Sequence, residues 1–328
     1  MTLLEVDDLT IRFPTEDGLV TAVTGLSFRM DPGQTLGIVG ESGSGKSVTS
    51  MAVLGILPRR AQVSGSIRFR GRQLLGLSDR QLRPLRGNQI AMIFQDALTA
   101  LNPVRTVGEQ IAEAIRVHDS RPGRRELRDR AVELLDIVGI PSPAARAGQH
   151  PHELSGGMRQ RVMIAMSIAN EPELLIADEP TTALDVTVQA QIMDVIERIQ
   201  DRTEAAILLI THDLGVVAGV ADRVLVMYAG TKVEEGPVEP IFYETAHPYT
   251  QGLLASLPRL DRRQGGELHR IPGQPPNPLH RPAGCAFHPR CRHAEAGRCD
   301  VDVPVTAAVG ISHTAACLRL GEFQEVRA

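Results

Sequence analysis

The sequence has no apolar run approaching the roughly 18 residues that a membrane-spanning helix needs. It has no surplus of positive charge either: 35 Lys+Arg stand against 39 Asp+Glu, for a net charge of -4. That balance argues against a nucleic-acid-binding chain. The opening Met1-Thr-Leu-Leu-Glu-Val-Asp-Asp8 lacks the basic region and apolar stretch of a secretory signal. Together these absences predict a cytosolic chain, where stable disulfides are rare. Lysine is nearly missing: only Lys46 and Lys232 occur, and every other basic side chain is Arg. A bias toward GC-rich codons produces such a ratio, so a lysine that survives it marks a place where Arg does not substitute.

What remains is ordinary globular material, 328 residues of which 42% are hydrophobic and 23% charged. That suffices for a sizeable core and about two domains. Residues 1–40 read as strands, followed by a Gly-rich turn and a helix to about Leu57. Ile67–Phe69 and Ile90–Phe94 read as short strands. From about 106 to 170 the pattern is helical, with Leu127, Ala131, Leu134, Leu135 and Val138 on one face. Leu174–Ala177 and Ala206–Ile210 are continuous apolar runs of the buried-strand type, and Val188, Ile192, Val195, Ile196 and Ile199 mark an amphipathic helix between them. Strand–helix alternation interrupted by a helical block predicts an α/β fold with an inserted helical subdomain at about 96–170. Beyond 257, Pro258, Pro272, Pro275, Pro276, Pro278, Pro282 and Pro289 exclude a regular helix or central strand. The expected division is therefore 1–257 and 258–328, with 258–284 an extended connection and 285–320 a small module.

Gly40-Glu41-Ser42-Gly43-Ser44-Gly45-Lys46-Ser47 matches the phosphate-loop pattern G-x-x-x-x-G-K-[ST], between a predicted strand and a predicted helix. Its glycines let backbone N–H groups face phosphate oxygens, and the helix N-terminus adds partial positive charge. Lys46 reaches the β and γ phosphates as a compact point charge, and Ser47 is a Mg²⁺ ligand. Such a site needs a carboxylate at the end of a neighbouring strand. Asp178 supplies one for Mg²⁺, and Glu179 is placed as the general base that polarises the attacking water.

Leu154-Ser155-Gly156-Gly157-Met158 opens the helical run Arg159–Ala169, a second Gly-rich helix start of the anion-binding kind. Here the chain resembles the ATP-binding subunits of ABC transporters, whose signature sequence usually ends in Gln where this chain has Met158. The resemblance spans about residues 3–257 and implies a P-loop ATPase core. It implies that Ser155, Gly156 and Gly157 close over ATP held by a second subunit, identical or paralogous. It further implies that Phe13 stacks on adenine, although a strand Phe is also commonly core. Gln95 would sense Mg²⁺ and the transmembrane partner, Ala183-Leu-Asp185 would cross the dimer interface, and His212 would contact the γ phosphate. Phe94–Pro103, Ala177–Val186 and His247-Pro-Tyr-Thr250 are similar to the dipeptide/oligopeptide importers, close to nickel importers, with Ala97 and Ala100 where those often have Pro and Ser. The implied activity is ATP hydrolysis driving peptide uptake at the cytoplasmic face of a bacterial membrane. Partners would be separate permease subunits, touched through Gln95–Pro103, and indirectly an extracytoplasmic binding protein. A nickel or other small-solute importer is the neighbouring alternative. A non-transport ABC protein acting on nucleic acid would carry two cassettes, coiled-coil insertions or basic arms, and none is here.

Cys285, Cys291, Cys299 and Cys317 lie within the tail, without the two C-x₂-C pairs commoner in zinc modules. Four thiolates so gathered suit either a [4Fe–4S] cluster or Zn²⁺, or are plain structural cysteines. Resemblance to importer ATPases with a similar terminal module favours iron–sulfur. His288, His293 and His313 leave a mixed Cys/His site open. ATP binding is expected to be independent of this tail, because the phosphate motif is complete without it.

Overall fold

A computed structural model describes residues 2–182, 185–257 and 270–322. Ala183, Leu184 and the linker 258–269, including Pro258, lie outside the described residues. The chain forms two compact units: one of Asp31–Gln34 and Gly76–Ile210, the other of Thr2–Met30, Thr35–Leu75 and the chain from Thr211 onward.

In the second unit a four-stranded antiparallel sheet is built from Leu4–Thr15, Gly18–Met30, Gln62–Phe69 and Arg72–Gln73. Leu4, Val6, Leu9 and Ile11 turn inward and are buried, Leu9 opposite Leu26. The strand Thr35–Val39 is buried at every position and runs parallel to Arg223–Tyr228, as expected for a strand covered on both faces. Its loop leads into the helix Lys46–Leu54, which stops three residues short of the expected end, where Gly55 turns left-handed at φ 63. Arg223–Tyr228 pairs antiparallel with Thr231–Pro237. The C-terminal hairpin Ala307–Gly310 and His313–Ala315 then adds to that same ladder, with Glu234 opposite Ala315 and Glu235 opposite Thr314. The tail is thus sewn into the sheet of its unit.

In the first unit Ile90–Ile93, Leu174–Asp178 and Ala206–Thr211 run parallel in neighbouring ladders. Helices Val107–Arg116, Arg124–Ile137 and Gly156–Ser167 pack on one another. Thr106 caps the first with its hydroxyl and Glu109 returns the bond, a reciprocal box that satisfies two free N–H groups. Leu127, Ala131, Leu134, Leu135 and Val138 are buried as the helical spacing required, each large one contributing about 1.5–3 kcal/mol. The helix Val186–Thr203 buries Ile192, Val195, Ile196 and Ile199.

A polar knot ties the tail hairpin to its unit. Glu234, fully buried, accepts from the backbone N–H groups of Ala246 (2.7 Å) and His247 (3.1 Å) and pairs with His313 Nε2 at 2.9 Å. His247 Nδ1 in turn caps the helix Pro248–Ala255, accepting from Tyr249 N–H at 3.1 Å. Burial drives the His247 imidazole down to about 4, against the pull of Glu234 and a backbone bond to Ala316. The folded state therefore holds this ring neutral while the unfolded chain protonates it below about 6.5. Between those values the unfolded chain binds more protons, so stability falls as pH drops from about 6.5 toward 4, by up to about 3 kcal/mol. Urea unfolding at pH 7 and pH 5 should show a larger acid loss in the wild type than in His247→Asn, which keeps a capping side chain. Equal losses would contradict the assignment.

Candidate active site

The phosphate loop leaves the buried strand Thr35–Val39 and closes on itself. Lys46, 4% exposed, donates through Nζ to the carbonyls of Gly40 (2.6 Å) and Glu41 (3.0 Å). A Cβ on Gly40 would lie 2.2 Å from the Met227 carbonyl oxygen, so no larger residue fits at the strand exit. Ser42 and Gly43 are exposed, Gly45 is buried and Ser47 is half-buried at the start of the helix. Ser44 is 3% exposed, and its hydroxyl has no hydrogen-bond partner among the described residues. A buried hydroxyl left unpaired costs about 1–3 kcal/mol.

The loop residues from Glu41 to Gly45 border a cavity of about 280 Å³. Phe13, Val20, Ala22 and Val48 give it an apolar wall, and Pro275, Pro276, Pro278 and Arg281 form another. Phe13 is half-buried here and faces the cavity, which distinguishes it from a strand core residue. Arg281 Nη1 donates to Thr24 Oγ1 at 2.8 Å, holding the proline segment in place.

The tail also reaches the loop. Glu41 N–H donates to the Tyr249 hydroxyl (2.9 Å), and the Glu41 carboxylate accepts two bonds from Arg290, at 2.6 and 3.0 Å. The tail, expected to play no part in ATP binding, nevertheless borders the phosphate loop: residues 275–281 wall its cavity and Arg290 holds its second residue. Tyr249, Tyr228, Arg290 and Arg281 were missed by sequence reasoning. Tyr249 alone carried a signal, within His247-Pro-Tyr-Thr250.

In the first unit the carboxylate pair ends the strand Leu174–Asp178. Asp178 is 3% exposed. Glu179 takes a left-handed backbone at φ 47, a conformation costing a non-glycine residue on the order of 1–3 kcal/mol. Its Oε2 accepts from Gln95 Nε2 (3.1 Å) and Thr182 Oγ1 (2.7 Å), and its N–H donates to Ile210 O (2.8 Å). The structure thus brings Gln95 and Glu179 together. Ser155 caps the helix Gly156–Ser167, its hydroxyl accepting from Met158 N–H at 3.3 Å, with Ser155 and Gly156 exposed. At Gly157 a Cβ would stand 2.8 Å from Val188 Cγ1, so this glycine also serves a close helix approach. Asp185 caps the next helix through Val188 N–H (3.0 Å), while its expected companions Ala183 and Leu184 are outside the described residues. In the second unit His212 is exposed just past the strand Ala206–Thr211.

Cys285, Cys291, Cys299 and Cys317 line one small cavity of about 20 Å³ with His288 and His293. His313 lies elsewhere, on Glu234. Burial raises the Cys285, Cys291 and Cys317 thiols, and the neighbouring cysteines raise them further. The donor types are those of a thiolate site. Among the described residues, however, no group of three or more His, Cys, Asp or Glu stands in metal-holding geometry. The iron–sulfur expectation therefore finds four converging thiols and no preformed site.

Comparison with known proteins follows the same lines. The family profile described as ABC transporter matches residues 23–182, and that described as oligopeptide/dipeptide transporter, C-terminal region, matches residues 233–299. The oligopeptide transport ATP-binding protein OppD of Salmonella typhimurium is 54% identical over 292 residues, covering 89% of this chain and 87% of that protein. The OppD of Mycobacterium bovis is 55% identical over 317 residues, 97% of this chain but 52% of that protein, so the chain spans about half the length of this relative. Among solved structures, the ATP-binding cassette MJ0796, a dimer in a post-hydrolysis state bound to ADP and Pi, aligns with a TM-score of 0.65 at 25% identity, covering 72% of this chain and 99% of that one. With a phosphate loop, a carboxylate pair and a tail region all matched, the chain belongs to the ABC transporter ATP-binding proteins, in their oligopeptide/dipeptide branch.

Proposed function

We propose that the chain is the ATP-hydrolysing subunit that powers uptake of di- and oligopeptides through separate transmembrane permease subunits. The observation that carries the nucleotide part is the phosphate loop itself: a buried Ser44 hydroxyl without a partner among the described residues, on a loop that borders an apolar cavity faced by Phe13. The peptide part is supported by the names of the relatives and by the matched C-terminal region. Among the described residues no helix is long and apolar enough to cross a membrane. Attachment at the cytoplasmic face of a bacterial membrane then comes from the permeases, with Gln95–Pro103 as the contact. An extracytoplasmic binding protein delivers the peptide to those permeases.

In this reading Lys46 exchanges its loop carbonyls for the β and γ phosphates, and Ser42–Gly45 present N–H groups to them. Phe13 stacks on the adenine. Mg²⁺, when bound, neutralises developing charge on the phosphates. Ser47, Asp178 and Gln95 are the side chains that the family pattern assigns to it as oxygen donors. Glu179 polarises the attacking water and Gln95 orients the carboxylate. His212 contacts the γ phosphate. The Ser155-Gly156-Gly157 helix start, exposed at Ser155 and Gly156, serves ATP on a second ABC subunit, and Asp185 lies at that interface.

The four cysteines are proposed to hold a [4Fe–4S] cluster, with Zn²⁺ as the alternative occupant. Convergence of four thiols on one cavity supports this. Cluster loading would require them to close in and lose their protons.

Three measurements test this reading. Phe13→Ala should weaken ATP binding about tenfold, since stacking on one aromatic is worth about 1–3 kcal/mol per base; unchanged affinity would remove Phe13 from the site. Glu179→Gln should keep ATP binding while abolishing hydrolysis in the assembled transporter, because an amide does not polarise water as a carboxylate does; wild-type turnover would sink the general-base role. Anaerobically purified protein should be brown, with about four Fe per chain for a [4Fe–4S] centre. One zinc without iron would move the site to zinc, and no metal would leave four structural cysteines.

A further inference from the structure

Glu41 is an odd residue for its place. A carboxylate inside a loop that receives a triphosphate repels the ligand unless something neutralises it and turns it away. Four contacts fix it. Its N–H donates to the Tyr249 hydroxyl at 2.9 Å, and its carbonyl accepts from Lys46 Nζ at 3.0 Å. Both carboxylate oxygens accept from Arg290, Nη1 to Oε2 at 2.6 Å and Nη2 to Oε1 at 3.0 Å, a bidentate fork.

Arg290 is built for this contact. Its side chain is 5% exposed. Its Nε donates to the Pro272 carbonyl (2.9 Å) and Nη1 also reaches the Tyr228 hydroxyl (3.3 Å), with the guanidinium carbon 5.8 Å from the Tyr228 ring centre. It lies between Cys285 and Cys291. Phe287, from the same segment, sits edge-on to Tyr228 at 5.1 Å and to Tyr249 at 5.3 Å. The cysteine-bearing segment therefore presses an aromatic ring and a paired cation against the supports of the loop.

We propose that Arg290 is a positioning residue for the phosphate loop: by holding and neutralising Glu41 it makes the loop receptive to a nucleoside triphosphate, and so the cysteine-bearing segment sets nucleotide affinity. The proposal rests on the nucleotide reading of this loop. It assigns to the tail a task in binding and none in the chemical step.

The test is ATP titration and steady-state hydrolysis with the full chain. In Arg290→Gln the carboxylate is left unpaired beside the phosphates, so the ATP Kd and KM should rise about tenfold, the scale of one lost charge-assisted fork, with kcat within about twofold. The double variant Arg290→Gln/Glu41→Gln removes the stranded charge and should recover most of the lost affinity. General loosening of the tail would not be rescued by a change in the loop. If Arg290→Gln does not fold, Arg290→Lys, which keeps the charge without the fork, should show a smaller rise in Kd and KM with kcat again within about twofold. Unchanged affinity in the single variants, or a double variant as weak as Arg290→Gln, overturns the proposal. No ATP binding by the wild type overturns the nucleotide reading instead.

Discussion

One ion pair, a buried Arg290 on a half-buried Glu41, ties the tail of the second unit to its phosphate loop. An arginine with a 5% exposed side chain is tolerable only when its charge and its N–H groups are met. Arg290 is met by Glu41, Pro272 and Tyr228. A pair of this kind gives modest net stability, yet removing one partner is costly because the other charge stays behind. The contact therefore specifies more than it stabilises: it selects one arrangement of residues 41 and 290, which are 249 positions apart. The Tyr228–Tyr249–Phe287 cluster provides the apolar part of the same contact, and the Glu234–His247–His313 knot fixes the helix that carries Tyr249.

The first unit arranges its own site through strain and local caps. Glu179 stands in a left-handed backbone conformation with its carboxylate held by Gln95 and Thr182. The cost of that conformation is offset by a buried strand on one side and three hydrogen bonds. Ser155 and Asp185, both expected at ligand or interface positions, act here as helix caps, a role that fixes the backbone on which such positions depend.

Local features were legible in the sequence and distant ones were not. The phosphate loop, the strand before it and the helix face of Leu127, Ala131, Leu134 and Leu135 follow from spacing alone, because backbone turns and 3.6-residue periodicity are short-range. Phe13 borders the cavity, and it was singled out by a family resemblance because periodicity alone does not separate it from a core strand residue. Arg290 was illegible: among 33 other Lys and Arg side chains, besides Lys46, nothing in its neighbourhood marks it as the partner of Glu41. Residues 270–287 carry no helix or strand, as their prolines predict, while Pro289 lies in a short 3-10 turn, His288–Arg290; an exclusion of this kind does not reveal that Pro275, Pro276 and Pro278 wall a cavity. The four cysteines were legible as a group because they fall within 33 residues, but their common cavity is a product of the fold rather than of their spacing.

The central claim is that the phosphate loop and the cysteine-bearing tail form one responsive unit. Amide hydrogen exchange on the full chain, with and without saturating ATP, tests this most directly. The account predicts that ATP slows exchange in residues 285–291 together with residues 41–48, because loop and tail share Glu41. Slowing confined to residues 41–48, with the 285–291 amides unchanged, would contradict it.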